Sequence, residues 1–175
     1  EQDERAQEHI RAGDIFQVVL SRGFKRRCTV EPFEVFRALR MINPSPYMFF
    51  LQQQNRAVAG ASPEGMIRLH DGGVETMPIA GTRPRGSDID DAAQEKDLLG
   101  DPKEIAEHMM LVDLARNDIG RVCEPGTVQV NALKTIQRLS HVMHITTKVS
   151  GRLKKGLDAL DALAVALPAG TLSGA

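Results

Sequence analysis

The chain has 175 residues, of which 42% are hydrophobic and 26% charged, the balance of an ordinary globular domain with a real core. A formal net charge of −1, no Trp and 4% aromatic content exclude the basic footprint expected for a nucleic acid or an anionic membrane, and the rings for stacking on bases. No apolar run approaches the ~20 residues of a membrane span, and the charged opening EQDERAQEHIRAGD has no signal-peptide core. Cys28 and Cys123 are isolated thiols that form neither a disulfide framework nor a zinc motif, so a reducing cytoplasmic setting is expected.

In chain order, a first helix is expected over roughly Asp3 to Ala12, ended by Gly13. IFQVVLSRGF, residues 15–24, alternates β-branched and apolar residues and predicts a strand, with Phe16, Val18 and Leu20 on one face. A second helix begins near Pro32, a residue suited to a first helical turn, with Phe33, Phe36 and Leu39 on one stripe. NPSPY breaks the chain, because each Pro drives its predecessor out of the helical region. YMFFL and RAVAGAS then predict short strands, and MIRLHDGGVETMPIAG a hairpin around Asp71-Gly72-Gly73. The polar stretch from Arg83 to Asp91 reads as a loop.

From Asp101 a long helix is expected over DPKEIAEHMMLVDLARND, with Ile105, Met109 and Val112 as its apolar stripe. TVQVN and HVMHITTKVSGRL predict strands, and LDALDALAVAL an amphipathic helix. The chain then stops inside the Gly-rich turn LPAGTLSGA, as an excised piece would. Strands and helices without regular β-α-β alternation indicate an α+β fold.

Several residues could carry chemistry, each with a structural alternative. Glu104 and Glu107 lie one turn apart on a helix face, a pairing suited to Mg²⁺. Asp101 and Glu104 also make a good capping box. His141 and His144, three apart in a strand, point to opposite faces, so at most one enters a given cleft. Such a His is either an acid–base group or a hydrogen-bonded structural residue. Glu64 in GASPEG is either a general acid, if burial raises its pKa, or a turn acid in a Pro/Gly corner. AGTRPRG offers backbone N–H groups, Thr82 and the Arg83 and Arg85 forks to a carboxylate substrate, and AGTLSGA has similar character. Either could be a plain surface loop. Arg116, Asn117 and Asp118 close the long helix, where polar clusters are usually structural.

Taken in order, GDIFQVVLSR, NPSPYMFF, GASPEG, PIAGTRPRG, AEHMMLVDLARNDIG, SHVMHITTKVSG and LPAGTLSGA resemble successive signature blocks of anthranilate synthase component I, within the chorismate-binding enzymes. The resemblance covers almost the whole chain. It implies two packed, mostly antiparallel sheets with helices outside, a partial chorismate-binding catalytic domain over residues 1–175, and a Mg²⁺-dependent conversion of chorismate and ammonia to anthranilate and pyruvate. Ammonia would come from a glutamine amidotransferase subunit.

The same resemblance implies roles residue by residue. Glu107 matches a direct Mg²⁺ ligand, and Glu104 a ligand or water-mediated partner. Glu64 matches the general acid for loss of the ring C4 hydroxyl, and His144 the His beside the reacting ring. Gly81, Thr82 and Thr171 match substrate contacts. Pro46, Tyr47 and Met48 match part of a tryptophan feedback pocket.

Among related enzymes, the isochorismate and salicylate synthases carry a Lys where Gln17 stands here, and aminodeoxychorismate synthases usually a Lys where Ala80 stands. Neither Gln17 nor Ala80 can do that chemistry, so ammonia as nucleophile fits best. Aminodeoxychorismate synthase and a non-catalytic module retaining the scaffold are the alternatives. The family chain is longer and supplies a second pair of metal carboxylates beyond residue 175. The piece alone is therefore expected to be inactive, and its open sheet edges are expected to find partner strands, whether from another copy or from the rest of the chain.

Overall fold

A computed structural model describes residues 2–15 and 18–169, which fall into two compact units. The first unit is drawn from residues 1–29 and 167–175, the second from residues 30–166.

In the first unit, helix α1 (Gln2–Ala12) ends as its sequence dictates. Gly13 adopts φ +80°, and its N–H donates to the Ile10 carbonyl at 3.1 Å. Of the strand expected over 15–24, the described residues, 15 and 18–24, carry none. Residues 18–29 carry neither helix nor strand, and Val18, Val19, Leu20 and Phe24 are exposed. A strand exists only when a neighbour takes its N–H and C=O groups, and no ladder among the described residues includes this segment. Its composition records the capacity to pair, not a partner.

The second unit opens with α2 (Pro32–Ile42), followed by β1 (Tyr47–Gln53) and β2 (Arg56–Ser62), an antiparallel hairpin in register from Tyr47↔Ser62 to Gln53↔Arg56. The Phe33 and Phe36 rings of α2 meet Phe50 at centroid distances of 5.2 and 5.6 Å. Phe49, on the other face, lies across its partner Gly60, where a Cβ would come within 2.3 Å of the ring.

The larger sheet contains β3 (Arg68–His70), β4 (Gly73–Thr76), β5 (Ile79–Pro84), β6 (Gln129–Arg138) and β7 (Val142–Arg152). Every pairing is antiparallel. The expected hairpin forms between β3 and β4, with Asp71 and Gly72 both at positive φ, as a type I′ turn demands. β7 is the centre. β6 pairs along one edge, while β4 and β5 share the other, β4 opposite 149–152 and β5 opposite 142–146. The fold is thus α+β with antiparallel sheets, as expected.

Three further helices belong to this unit: α3 (Asp91–Gly100), α4 (Pro102–Gly120) and α5 (Ala159–Val165). α3 was not foreseen, because it buries fully only Leu98 and so shows no apolar stripe. α4 keeps two members of the predicted stripe, Val112 in the core and Ile105 packed against Leu98, Met143 and Ile145, but not the third. Met109 is 40% exposed, and the buried face is His108, Val112, Ala115 and Ile119, at helical spacings of four, three and four. Val112, Ala115 and Ile119 pack with Val74, Cys123 and Val149. A second cluster joins Leu98, Met143 and Ile145.

A histidine can occupy the buried stripe because β7 supplies a partner. His108 Nε2 lies 2.6 Å from Thr147 Oγ1, which also accepts the Lys134 N–H at 3.0 Å. Burial, then the Lys134 charge, lowers the His108 pKa from the ordinary imidazole value and so favours the neutral ring. Its Nδ1 has no hydrogen-bond partner among the described residues. Thr147→Val keeps the shape and removes the hydroxyl, and should destabilise the chain by about 1–3 kcal/mol. Urea unfolding of the two proteins checks this, and equal midpoints would refute it.

Candidate functional site

The candidate site is organised around a bulge in β5. The pairing of β5 with β7 shifts register between Ala80 and Thr82, and Gly81 sits there at φ +70°. β5 therefore runs on to Pro84, into the polar stretch from Arg83 that was expected to be a loop. The register brings Thr82 opposite His144. His144 Nδ1 lies 3.0 Å from the Gly81 carbonyl and 3.1 Å from Thr82 Oγ1. A carbonyl oxygen can only accept, so neutral His144 carries its proton on Nδ1. Nε2 is left as the basic nitrogen. His141, outside β7, is exposed and pairs with Ser140 Oγ.

α4 brings the carboxylates. Asp101 caps it, with Oδ1 accepting the N–H groups of Lys103 and Glu104 at 2.9 and 3.3 Å. These bonds, led by the Glu104 N–H, together with Arg83, hold the Asp101 carboxyl below the ordinary aspartate range against the opposing effect of desolvation. The Glu104 side chain turns towards β5, with Oε1 3.5 Å from Arg83 Nη1. Its Oε2 would lie 3.2 Å from a Cβ placed on Gly81. Gly81 thus meets Glu104 where a side chain would stand, while its carbonyl orients His144. Glu107, one turn on, is half-buried like Glu104. Among the described residues no group of three or more His, Cys, Asp and Glu side chains is arranged to hold a metal ion. Mg²⁺ commonly takes one or two carboxylates and completes its shell with water and substrate oxygens, so the donor chemistry of Glu104 and Glu107 fits it.

Glu64 follows β2 in a corner built by its neighbours. Ser62 Oγ donates to the Glu64 carbonyl at 2.9 Å and accepts the Glu64 N–H at 3.2 Å. Tyr47 rests on Gly65, where a Cβ would approach the ring at 2.7 Å. The side chain is exposed to solvent on one side, yet enough protein surrounds it that desolvation raises its pKa. A bond from the Ile79 N–H, at the start of β5, partly opposes this. Glu64 therefore neighbours the strand that carries Gly81 and Thr82.

The other predicted positions lie elsewhere. Pro46 precedes β1, and Tyr47 and Met48 begin it, on the smaller sheet. Thr171 and Gln17 lie outside the described residues. The Arg83 and Arg85 forks engage the protein's own groups: Arg83 meets Asp97, Asp101 and Glu104, and Arg85 meets Asp91 and the Leu139 carbonyl. Arg116 pairs with Asp113 on the exposed surface of α4. Asp97 was missed as a partner, although an acidic run after two arginines was the available signal.

The chain as a whole has known relatives. A family model described as chorismate binding enzyme matches residues 1–175, and the chain belongs to that family. It is similar to anthranilate synthase component 1 of Aquifex aeolicus, at 54% identity over 98% of this chain and 35% of that protein. Among solved structures, it resembles anthranilate synthase component I from Streptococcus pneumoniae with a TM-score of 0.87 and 47% identity, over 98% of this chain and 38% of that one. The menaquinone-specific isochorismate synthase of Escherichia coli is more distant, with a TM-score of 0.54 and 26% identity over 62% of this chain and 25% of that one. The chain spans about a third of the length of the curated relatives it matches.

Proposed function

We propose that the whole protein is the synthase component of an anthranilate synthase, an oxo-acid lyase that converts chorismate and ammonia to anthranilate and pyruvate. The observation that carries this reading is the Gly81–Thr82–His144 arrangement, which leaves His144 Nε2 as a base beside the β5 bulge. The ring C4 hydroxyl departs as water, protonated by Glu64, as ammonia joins the ring. His144 then takes the proton from the carbon that gained nitrogen, while the enolpyruvyl oxygen leaves and pyruvate forms. Gly81 and Thr82 contact the substrate at the bulge, and Thr171, outside the described residues, is a further substrate contact. Glu104 and Glu107 would hold Mg²⁺, which when bound clamps and neutralises the ring carboxylate. A cytoplasmic amidotransferase subunit supplies ammonia from glutamine, and Pro46, Tyr47 and Met48 contribute to a tryptophan feedback site.

Product analysis tests this directly. Chorismate, ammonium and Mg²⁺ are supplied to the whole protein, to its Ala80→Lys variant and to the 175-residue chain. Anthranilate with equimolar pyruvate is expected from the whole protein, and no turnover from the chain. Isochorismate, aminodeoxychorismate or no product from the folded whole protein would refute the chemistry. Turnover by the chain would refute its incompleteness.

A further inference from the structure

The proposed chemistry gives Arg83 no part, although Arg83 touches Thr82 and Glu104, which it does use. It stands on β5 beside Thr82, and its side chain is only 18% exposed. Nε donates to Asp97 Oδ2 on α3, and Nη2 to Asp101 Oδ2 at 3.0 Å. Nη1 donates to the Thr82 carbonyl at 3.0 Å and lies 3.5 Å from Glu104 Oε1. All three nitrogens are engaged, and three carboxylates surround one cation.

The division of oxygens is informative. Asp101 uses Oδ1 to start α4 and Oδ2 to hold Arg83. The first turn of α4 is thereby tied to β5, and Glu104 belongs to that turn. Arg83 takes Glu104 Oε1, while Oε2 faces Gly81. A planar guanidinium can serve three carboxylates and a carbonyl together, which the point charge of an ammonium cannot.

We propose that Arg83 is the positioning residue of the metal-facing carboxylate Glu104, fixing which of its oxygens is presented at the Gly81–Thr82 bulge. This rests on the reading of Glu104 and Glu107 as the metal pair. Arg83 does not touch the metal or the substrate. It acts through Glu104, as outer hydrogen-bonding partners do for ligating carboxylates, where their loss typically costs about 10–100-fold in metal affinity.

The test is Mn²⁺ binding to the whole protein, read by electron paramagnetic resonance, with circular dichroism to confirm folding. Arg83→Met should weaken Mn²⁺ binding about 10–100-fold, and Arg83→Lys should recover only part of it. Asp97→Ala, which cuts the tie to α3 but leaves Asp101 and Glu104 on Arg83, should bind Mn²⁺ as the wild type does. The Mg²⁺ concentration for half-maximal turnover should move with the Mn²⁺ affinity. Unchanged or tighter binding in Arg83→Met would overturn the proposal, since Arg83 would then brace the fold or compete with the cation. Equal weakening in Arg83→Met and Asp97→Ala would overturn it too, as plain loosening. Glu104→Gln and Glu107→Gln separate the two levels: if neither weakens Mn²⁺ binding, the metal reading itself fails.

Discussion

If Glu64 is the proposed general acid, Glu64→Gln should lower turnover of the whole protein by about 10²–10⁴-fold, and it should at the same time raise the melting temperature of the 175-residue chain at neutral pH. The two effects have one cause. Burial raises the Glu64 pKa above its ordinary 4.5, outweighing the bond from the Ile79 N–H. The folded state therefore prefers the protonated carboxyl, and holds more protons than the unfolded state between the two pKa values. Stability falls as pH rises through that window, and the cost is complete above the folded pKa. Glutamine keeps the size and an acceptor oxygen for Ile79 but cannot ionise. The two melting temperatures should converge near pH 4 and separate as pH rises, by about the linkage amount. Differential scanning fluorimetry across that range checks it. A variant less stable at neutral pH would mean a favourable partner holds the carboxylate, and Glu64 would not be a poised acid. Retained turnover would place the proton donor elsewhere.

Gly81→Ala should destabilise the chain by about 2–5 kcal/mol, adding a left-handed backbone cost to an overpacking cost. The residue sits at φ +70°, and a Cβ would come within 2.8 Å of Leu98 Cδ1. Leu98 is fully buried against Met143 and Ile145, so its methyl cannot withdraw cheaply. The same Cβ would stand 3.2 Å from Glu104 Oε2, and any shift of the peptide moves the carbonyl that orients His144. Against a typical total of about 5–15 kcal/mol this is a severe loss. Gly126→Ala separates the two parts: it shares a positive φ of 78° but has nothing within 4 Å, so only the backbone cost of about 1–2 kcal/mol remains. Urea unfolding of both variants measures the difference. Equal costs would mean that Leu98 does not confine the bulge.

Much of the fold was legible because local physics marks it. Pro32 and Asp101 start helices, Gly13 ends one, and Asp71-Gly72 makes the turn that closes a hairpin. The capping box expected from Asp101 and Glu104 forms only on the aspartate side, because Arg83 draws the Glu104 carboxylate away. α3 was invisible for want of a periodic stripe, and the end of β5 hid behind Arg83, whose charge is answered by Asp97 of α3 and Asp101 at the start of α4. The segment 15–24 failed in the opposite way, with strand composition and no ladder among its described residues. Met109 yielded the buried stripe to His108, which no hydropathy pattern favours and which Thr147 makes tolerable.

The sequence by itself determined the residue types of the candidate chemistry, the helix ends, the hairpin turn and the kinship with chorismate-binding enzymes. These reside in short contiguous blocks whose meaning is local. Tertiary structure alone decided that His144 would find its acceptor at Gly81, that Arg83 would join Asp97, Asp101 and Glu104, and that Glu64 would sit beside Ile79. Each of those contacts joins residues far apart in the chain. A pairing across such a distance is set by sheet register and helix packing, which no local pattern encodes.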